Sequence, residues 1–265
     1  MKQLLILTRF PPEYEPQRLA EATKKKGIEP KIVNYQKVVL SRDLDLNEFD
    51  WVIPRSAAHR HKKSLLSVKM ALVKALPEKT ICLNEETYSR WPKLGKIKQA
   101  EILTKNGLSA IPTLEKPVFP AILKAEFGSH SRRVIRVETK KEAEKAMMTY
   151  SGKWLYQPII KTPVYWRVIV LGDKSLGMME RKTSKRFLKS GEEEKPKVAR
   201  SKIEALAIKA TQLFKAEMAG VDLLAEKNKL MVIEVNRSPQ FQIFDRLVKT
   251  NVASKVIDYL TSISK

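Results

Sequence analysis

The sequence predicts an α/β (α+β) fold, with a small N-terminal parallel α/β domain ahead of a larger mixed part. Two observations carry this prediction. Over residues 1–87, short apolar runs alternate with helix-like segments, which is the pattern of a parallel sheet covered by helices. Further along, apolar runs such as 164–171 and 175–181 are separated by a short turn, which indicates an antiparallel hairpin.

The N-terminal domain is expected over residues 1–87 and begins with a strand. The apolar run that follows Met1 is too short for a signal peptide and fits a buried strand better. The next segment is a predicted helix that ends at Gly27, because glycine readily adopts the left-handed conformation after a helix. The predicted strands of this domain are 3–7, 31–35, 50–54 and 80–84, and its predicted helices are 16–26 and 62–76.

The rest of the chain is divided into a central subdomain, residues 88–160, and a C-terminal subdomain, residues 161–265. The segment 181–202 is polar, dense in charge and without apolar periodicity, so we expect a mobile loop there. The predicted helices are 85–106, 139–150, 202–218 and 250–264, and the predicted strands are two within 120–137, then 153–160, 164–171, 175–181, 219–225 and 229–236.

Composition excludes several classes of protein. Apolar residues make up 43 % and charged residues 30 %, which is typical of a globular chain. No run approaches the roughly 20 apolar residues that a membrane span needs. A single cysteine, Cys82, rules out an internal disulfide, and no spacing suggests zinc. These features lead us to expect a cytoplasmic protein.

The net charge of +22 arises from 51 Lys and Arg against 29 Asp and Glu. Such a field attracts anions, including nucleotides, acidic peptides and nucleic acid. The basic residues are mostly lysines spread along the chain, and aromatic residues are not interleaved with them. A solvated lysine-rich surface is therefore the main interpretation, with anion steering as the alternative.

Oxygen ligands lie near the ends of two late strands. Glu234 and Asn236 are two residues apart, so they share a face of their strand while Val235 faces the core. If the strands form a hairpin around Lys227–Asn228, their ladder brings Asp222 beside Glu234. Two carboxylates and an amide oxygen suit Mg²⁺ or Mn²⁺ with nucleotide phosphates completing the shell.

The segments AGVDLL and MVIEVNRSPQF resemble the C-terminal core of the ATP-grasp superfamily, and more narrowly the RimK-type carboxylate–amine ligases. The resemblance covers nearly the whole chain and implies an ATP-grasp fold, in which residues 1–87 are the small domain preceding the ATP-grasp core. It also implies that Asp222, Glu234 and Asn236 hold magnesium.

The same resemblance implies a set of ATP-binding residues. Lys96, with Lys98 as its competitor, and Lys124 match the two nucleotide-binding lysines, and WLYQPII matches the strand that meets adenine. The implied contacts with ATP are Lys96, Lys124, Gly128, Tyr156, Gln157, Ile159 and Glu180. Arg167 matches an active-site arginine, and with Asn236 it completes the predicted catalytic set.

Three departures from the family pattern concern the site. The phosphate loop has only Gly128, followed by SHSRR, so phosphate contact through backbone amides is expected to be either reduced or replaced by His130, Arg132 or Arg133. Pro158 stands where the family often has Glu. The loop after Glu180 and Arg181 lacks the family's substrate segment, and Arg186 and Lys189 are the candidates to take its part.

The expected activity is formation of an amide bond through an acylphosphate, joining an acidic amino acid to a peptide or small-molecule acceptor. Arg9 and Arg55 follow strands, where open α/β sheets bind ligands, so they could hold an acidic substrate or lie on the surface. The alternatives are a nucleotide-binding ATP-grasp protein without ligase activity, a different ATP-grasp transfer, and a polyanion-binding protein. His59, His61 and His130 are interpreted as surface residues, and a homo-oligomer stays open.

Overall fold

A parallel sheet in the order β2-β1-β3-β4 forms the N-terminal part, as the sequence predicts. The structure is a computed structural model that describes residues 1–37, 44–55, 74–114, 116–127, 133–185, 187–188 and 196–263. The strands of this sheet are β1 (Gln3–Thr8), β2 (Glu29–Asn34), β3 (Trp51–Pro54) and β4 (Ile81–Cys82), with helix α1 (Tyr14–Lys25) and a 3₁₀ turn (Leu46–Glu48) between them.

The central part is an antiparallel sheet in the order β6-β5-β7 with a helix on one face. Its elements are β5 (Ala121–Ala125), β6 (Val134–Val137), α4 (Lys140–Met147) and β7 (Trp154–Pro158). Leu123, Val137 and Ala143 form the apolar layer between sheet and helix. Lys124 alternates with Leu123 along β5, so its side chain lies on the face away from α4.

The C-terminal part is an antiparallel sheet in the order β11-β10-β8-β9. Its strands are β8 (Val164–Leu171), β9 (Lys174–Lys182), β10 (Met218–Glu226) and β11 (Lys229–Asn236), and helix α5 (Arg200–Leu213) packs on one face. Gly172 makes the first hairpin turn at a positive φ of 59°, and Lys227 makes the second at 53°. Both predicted hairpins are therefore confirmed.

The C-terminal helices α6 (Gln242–Val248) and α7 (Val252–Ser262) join the two ends of the chain. Val256, Ile257 and Leu260 of α7 share one buried cluster with Leu19 of α1 and Trp51 of β3. The indole Nε1 of Trp51 donates a hydrogen bond to the Leu260 carbonyl at 3.2 Å. The N-terminal sheet is thus covered in part by residues from the far end of the chain.

Several predicted helices differ from the structure. The expected helix 85–106 is two helices, α2 (Glu85–Arg90) and α3 (Lys96–Lys105), because Pro92 cannot donate a helical hydrogen bond and disfavours helix just before it. The expected helix 202–218 begins at Arg200 and ends at Leu213, since Lys215 has a positive φ of 49° and β10 already begins at Met218. Helix α6 was not predicted.

Parts of some predictions lie outside the described residues. These include most of helix 62–76 and part of the loop 181–202, of which 186 and 189–195 are not described. Within the described ranges, no helix is both long enough and apolar enough to cross a membrane.

Candidate active site

The face of the C-terminal sheet opposite α5 carries the predicted metal ligands. Strand pairing sets Asp222 directly opposite Glu234 on one side and Arg167 on the other, so the three form a row across β8, β10 and β11. Asn236 pairs with Gly220 on the same face. The expected position of Asp222 beside Glu234 is therefore confirmed, although it arises from a register shift between Asp222 and Leu223 and not from a regular ladder.

Arg167 makes a bidentate ion pair with Asp222. Its Nε and Nη2 atoms donate to the two carboxylate oxygens at 2.7 Å each, and both side chains are less than one fifth exposed. Burial lowers the pKa of Arg167, but the Asp222 charge and these hydrogen bonds outweigh it and raise the pKa above its usual value. Arg167 therefore carries a permanent positive charge beside the predicted metal ligand.

Helix α3 brings Lys96 to the row, and a buried hydrogen bond fixes the helix there. The Lys96 Nζ atom lies 3.9 Å from Glu234 Oε2. One turn later, the side-chain carbonyl of Gln99 accepts a hydrogen bond from the Val235 amide at 2.8 Å, between Glu234 and Asn236. The sequence analysis did not predict this role of Gln99. A glutamine on the buried side of the helix that carries Lys96 could have indicated a buried hydrogen bond.

Lys124 lies in β5 of the central sheet and is 9 % exposed. Burial lowers its pKa from 10.5 to about 8. The charges of Glu234 and Asp222 raise this pKa and that of Lys96 lowers it, so Lys124 lies close enough to interact with all of them. The Lys124 side chain of the central sheet therefore lies near the carboxylates of the C-terminal sheet.

The predicted adenine strand, β7, divides its side chains between two faces. The ring of Tyr156 packs on the α4 side, edge-on to the ring of Phe119, with the two ring centroids 6.2 Å apart. Gln157 points to the other face, because it pairs with Ile122 and shares that face with Lys124. Ile159 follows the strand and is half-buried.

The turn after β11 is tightly packed against β10. The Asn236 side-chain oxygen accepts a hydrogen bond from the Ser238 amide at 3.0 Å. Pro239 then lies over Gly220, where a Cβ atom would come within 2.8 Å of the Pro239 Cβ. Glycine at this position is what allows the turn to approach the strand beside Asn236.

Arg237 anchors the same turn to the segment around α2. Its Nη1 atom donates to the carbonyls of Thr87 and Trp91 at 2.8 Å each, which satisfies groups at the C-terminal end of that helix. The Arg237 carbonyl accepts from Asn84 Nδ2 at 2.8 Å and from the Tyr88 hydroxyl at 3.0 Å. Burial raises the pKa of Tyr88 to about 12. This polar cluster was not predicted.

Asn84 has a positive φ of 67° and joins β4 to β10. Its side-chain oxygen accepts from the amides of Glu217 and Met218 at 2.7 and 2.9 Å, and its Nδ2 atom also donates to the Met218 carbonyl at 2.8 Å. Asparagine tolerates the left-handed region better than most residues. These bonds hold the N-terminal sheet to the sheet that carries Asp222.

Of the two roles open to Arg55, contact with an acidic substrate or a surface position, the structure excludes the surface position. Arg55 is 7 % exposed, donates from Nη2 to the Pro239 carbonyl at 3.1 Å and lies 5.5 Å from the Phe241 ring centroid. It thus supports the turn after β11 from the N-terminal side. Arg9 is half-buried and donates from Nε to the Gln36 side-chain oxygen at 3.0 Å.

Glu180 lies on the opposite face of the sheet from the metal row. It pairs with Trp166, whose indole Nε1 donates to the Glu180 carboxylate at 3.3 Å, and Trp166 packs in the α5 core. Arg181 alternates with Glu180 and points to the same face as Arg167, with its guanidinium 5.6 Å from the Tyr165 ring centroid. The structure therefore brings Arg181, not Glu180, to the face of Asp222.

Some predicted residues lie outside the described part of the chain. These are Gly128, His59, His61, His130, Arg132, Arg186 and Lys189. Arg133 is described, and its guanidinium lies 3.8 Å from the centroid of the Tyr150 ring.

The chain is similar to known proteins over nearly its whole length. Residues 96–260, more than half of the chain, match the family model of the RimK-like ATP-grasp domain. The chain is 27 % identical to a protein of Haemophilus influenzae named "Probable alpha-L-glutamate ligase", with 97 % of each chain covered. The match therefore extends over the N-terminal domain as well.

Solved structures share the fold. A RimK domain ATP-grasp protein from Sphaerobacter thermophilus superposes with a TM-score of 0.72 at 18 % identity, covering 97 % of this chain and 99 % of that one. The ATP-grasp ligase PsnB, in complex with a minimal precursor, Mg and ADP, gives a TM-score of 0.71 at 17 % identity, covering 99 % and 97 %. The chain belongs to the RimK-like ATP-grasp family, and the predicted ATP-grasp ligase and fold are confirmed at that level.

Proposed function

We propose that the chain is an ATP- and magnesium-dependent carboxylate–amine ligase that forms an amide bond through an acylphosphate. The observation that carries the proposal is the row of Arg167, Asp222 and Glu234 across three strands, with Lys96 beside it. Acidic oxygen ligands and fixed positive charges are combined there, which is the arrangement that a metal–nucleotide complex needs.

The donor set fits magnesium. Asp222, Glu234 and Asn236 offer only oxygen atoms, lie on one face of one hairpin and would be the residues that hold the ion. The Gln99 hydrogen bond and the Arg237 anchors fix the strand and turn that carry Glu234 and Asn236. When bound, magnesium supplies positive charge that offsets the charge of the nucleotide phosphates.

The basic side chains around the row of Arg167, Asp222 and Glu234 are proposed to bind the phosphates of ATP and the acyl group of the substrate. Lys96 of α3 and Arg167 of β8 lie beside the carboxylates of the C-terminal sheet, and Lys124 approaches the same carboxylates from the central sheet. A buried lysine with a pKa near 8 gains from an anionic partner, because its own desolvation is then compensated. Fixed charges of this kind stabilise the negative charge of phosphoryl transfer without moving during the reaction.

The reaction requires no nucleophile from the protein. A substrate carboxylate oxygen attacks the γ-phosphorus of ATP and ADP leaves, which gives an acylphosphate. The amine of the second substrate then attacks the acyl carbon, and phosphate leaves as the amide forms. The chain's part is to align the carboxylate with the γ-phosphate and to neutralise charge.

The substrates are proposed by class. The Haemophilus influenzae relative is named for glutamate ligation, and the net charge of +22 favours acidic molecules, so an acidic amino acid is the first candidate to be joined. A peptide is the first candidate for the other substrate, because the fold neighbour PsnB was solved with a precursor peptide.

The test is calorimetric binding of ATP, with and without magnesium, at physiological salt. Wild type is compared with Glu234→Ala and with Glu226→Ala, an exposed glutamate at the end of the same hairpin, as the matched control. We expect magnesium-dependent binding that Glu234→Ala abolishes and the control retains. ADP release is then screened with amino acids and peptides.

Each competing function gives a different result. Binding that ignores magnesium and Glu234→Ala, and that weakens steeply with salt, would identify a polyanion-binding protein instead. Magnesium-dependent ATP binding without ADP release under any amino acid or peptide would favour the nucleotide-binding protein without ligase activity.

A further inference from the structure

Part of the predicted loop 181–202 is packed against the protein. Its described residues that follow β9, 183–185 and 187–188, are called here the return segment. The Thr183 amide extends the pairing of β8 and β9 by donating to the Pro163 carbonyl at 2.8 Å. Leu188, at the other end, is 4 % exposed. The return segment therefore begins as a continuation of β9 and then folds back into the protein.

Arg136 of β6 fastens the return segment to the central sheet. Its Nη1 atom donates to the Phe187 carbonyl at 3.3 Å, and its Nε atom donates to the Glu138 carboxylate at 2.8 Å. The Arg136 side chain is 7 % exposed. Because Arg136 pairs with Ile122, two positions before Lys124, its side chain lies on the face of the sheet that carries Lys124. The return segment thus contacts the central sheet on that face.

Main chain joins the two sheets at their opposite edges. Residues 109–114 run between β11 and β7, where the Val232 amide donates to the Ser109 carbonyl and the Leu114 amide donates to the Tyr156 carbonyl, each at 2.9 Å. Both β11 and β7 are edge strands, as are β9 and β6. The segment 109–114 and the return segment therefore span the central and C-terminal sheets on opposite flanks.

The two flanks depend on different chemical groups. Backbone hydrogen bonds join 109–114 to both sheets, and almost any sequence can form them. The contact of the return segment with β6 uses the side chain of Arg136, whose guanidinium can donate to a carbonyl and a carboxylate together. Its bond to Glu138 fixes the orientation of the group, and burial strengthens a charge-assisted hydrogen bond. A single substitution can therefore release one flank and leave the other joined.

We propose that Arg136 is a positioning residue, which holds Lys124 close to Asp222 and Glu234 by fastening the return segment to β6. Loss of this contact lets the two sheets separate on the β6 side while 109–114 keeps them joined on the other. The functional part of this inference rests on the proposed function, because the nucleotide is expected to lie between Lys124 and the carboxylates.

Hydrogen exchange measured by mass spectrometry tests the contact in the full chain without nucleotide. Wild type is compared with Arg136→Met, Arg136→Gln and Arg136→Lys, and with Arg200→Met as the matched control, because the Arg200 side chain is 61 % exposed. In the Met and Gln variants the return segment should exchange about tenfold faster, while 109–114 keeps its wild-type rates. Arg136→Lys, which keeps a charged donor, should recover part of the protection, and the control should behave as wild type.

Calorimetric binding of ATP with magnesium tests the consequence for the site. Arg136→Met and Arg136→Gln should bind about tenfold more weakly than wild type, which is the size of effect expected when one charge-assisted hydrogen bond is lost. Arg136→Lys should recover part of the affinity. Arg200→Met removes the same positive charge and should bind as wild type does, which separates positioning from a general change of charge.

The exchange and binding results can each contradict the proposal. Unchanged exchange of the return segment in the Met and Gln variants would overturn it. Equal acceleration of the return segment and 109–114, or loss of the fold in both variants, would overturn it too, since Arg136 would then support the whole fold. Faster exchange with unchanged ATP affinity would refute the positioning of Lys124. Failure of wild type to bind ATP would overturn the proposed function, and the exchange rates would still decide whether Arg136 fastens the return segment.

Discussion

Replacing Lys124 by Met is expected to remove a rise in stability that wild type shows at alkaline pH. Burial lowers the pKa of Lys124 in the folded protein to about 8, against an ordinary value of 10.5. Between these values the unfolded chain binds more protons than the folded protein does. The free energy of unfolding therefore increases with pH across this window.

The size of the rise follows from the two pKa values. Linkage with a folded value of about 8 and an unfolded value of 10.5 gives an increase of about 2 kcal/mol between about pH 7.5 and pH 9.5. Lys124→Met has no charge to desolvate, so this contribution is absent from the variant. The variant should also be more stable than wild type at the lower pH, where wild type bears the desolvation of the charged amine.

Urea denaturation at the two pH values measures the effect as a difference between proteins, which cancels the titration of the groups that do not interact with Lys124. Lys98→Met is the matched control, because Lys98 lies on α3 with a side chain that is 53 % exposed. It should follow the wild-type pH dependence. The reasoning is refuted if Lys124→Met and wild type gain the same stability between the two pH values.

Three further substitutions test the supports of the site by thermal unfolding. Gln99→Leu should lower stability by about 1–3 kcal/mol, because the buried Val235 amide loses its acceptor; an unchanged melting temperature would contradict this. Gly220→Ala should cost about 1–3 kcal/mol, since the added Cβ would lie 2.8 Å from that of Pro239, and a neutral effect would show that the turn can move away. Asn84→Ala should cost at least about 3 kcal/mol through its lost buried hydrogen bonds, and a loss below about 1 kcal/mol would refute that role.

Controls for Gln99→Leu and Asn84→Ala come from exposed positions of the same residue types. Gln212→Leu and Asn106→Ala change side chains on or beside exposed helix surfaces and should stay within about 0.5 kcal/mol of wild type. Magnesium-dependent ATP binding by Gln99→Leu adds a functional measurement. It should weaken in that variant, because the helix that carries Lys96 loses its fixed distance to Glu234.

Local sequence patterns were sufficient where the site depends on strand alternation. The two-residue spacing of Glu234 and Asn236 was enough to predict that both side chains lie on one face. A regular hairpin that turns at Lys227 would pair Asp222 with Ile233, and a register shift between Asp222 and Leu223 is what brings Asp222 opposite Glu234. The same rule applied to β9 puts Glu180 on the opposite face from Arg181, although the family resemblance grouped them together. The alternation of side chains along a strand therefore predicts which face of the sheet each residue occupies. Assigning adjacent residues of a family motif to one site does not.

Contacts between distant segments were not predictable from local pattern. Gln99 and Val235 are separated by 136 positions, and Asn84 and Met218 by 134, so no window of sequence contains both partners. Burial of Arg55 is of the same kind, because its partner Pro239 comes from the other end of the chain. Helix α6 is only 7 residues long, too short for its periodicity to stand out.

The covering of the N-terminal sheet by helix α7 has a consequence for synthesis on the ribosome. The cluster around Leu19 and Trp51 is completed by Val256 and Leu260, which are translated about 200 positions after Trp51. A nascent chain of the first 87 residues contains all four strands of the parallel sheet but none of the α7 residues that cover it. The apolar cluster that α7 completes can therefore form in full only near the end of synthesis, although every strand of the sheet is made near its beginning.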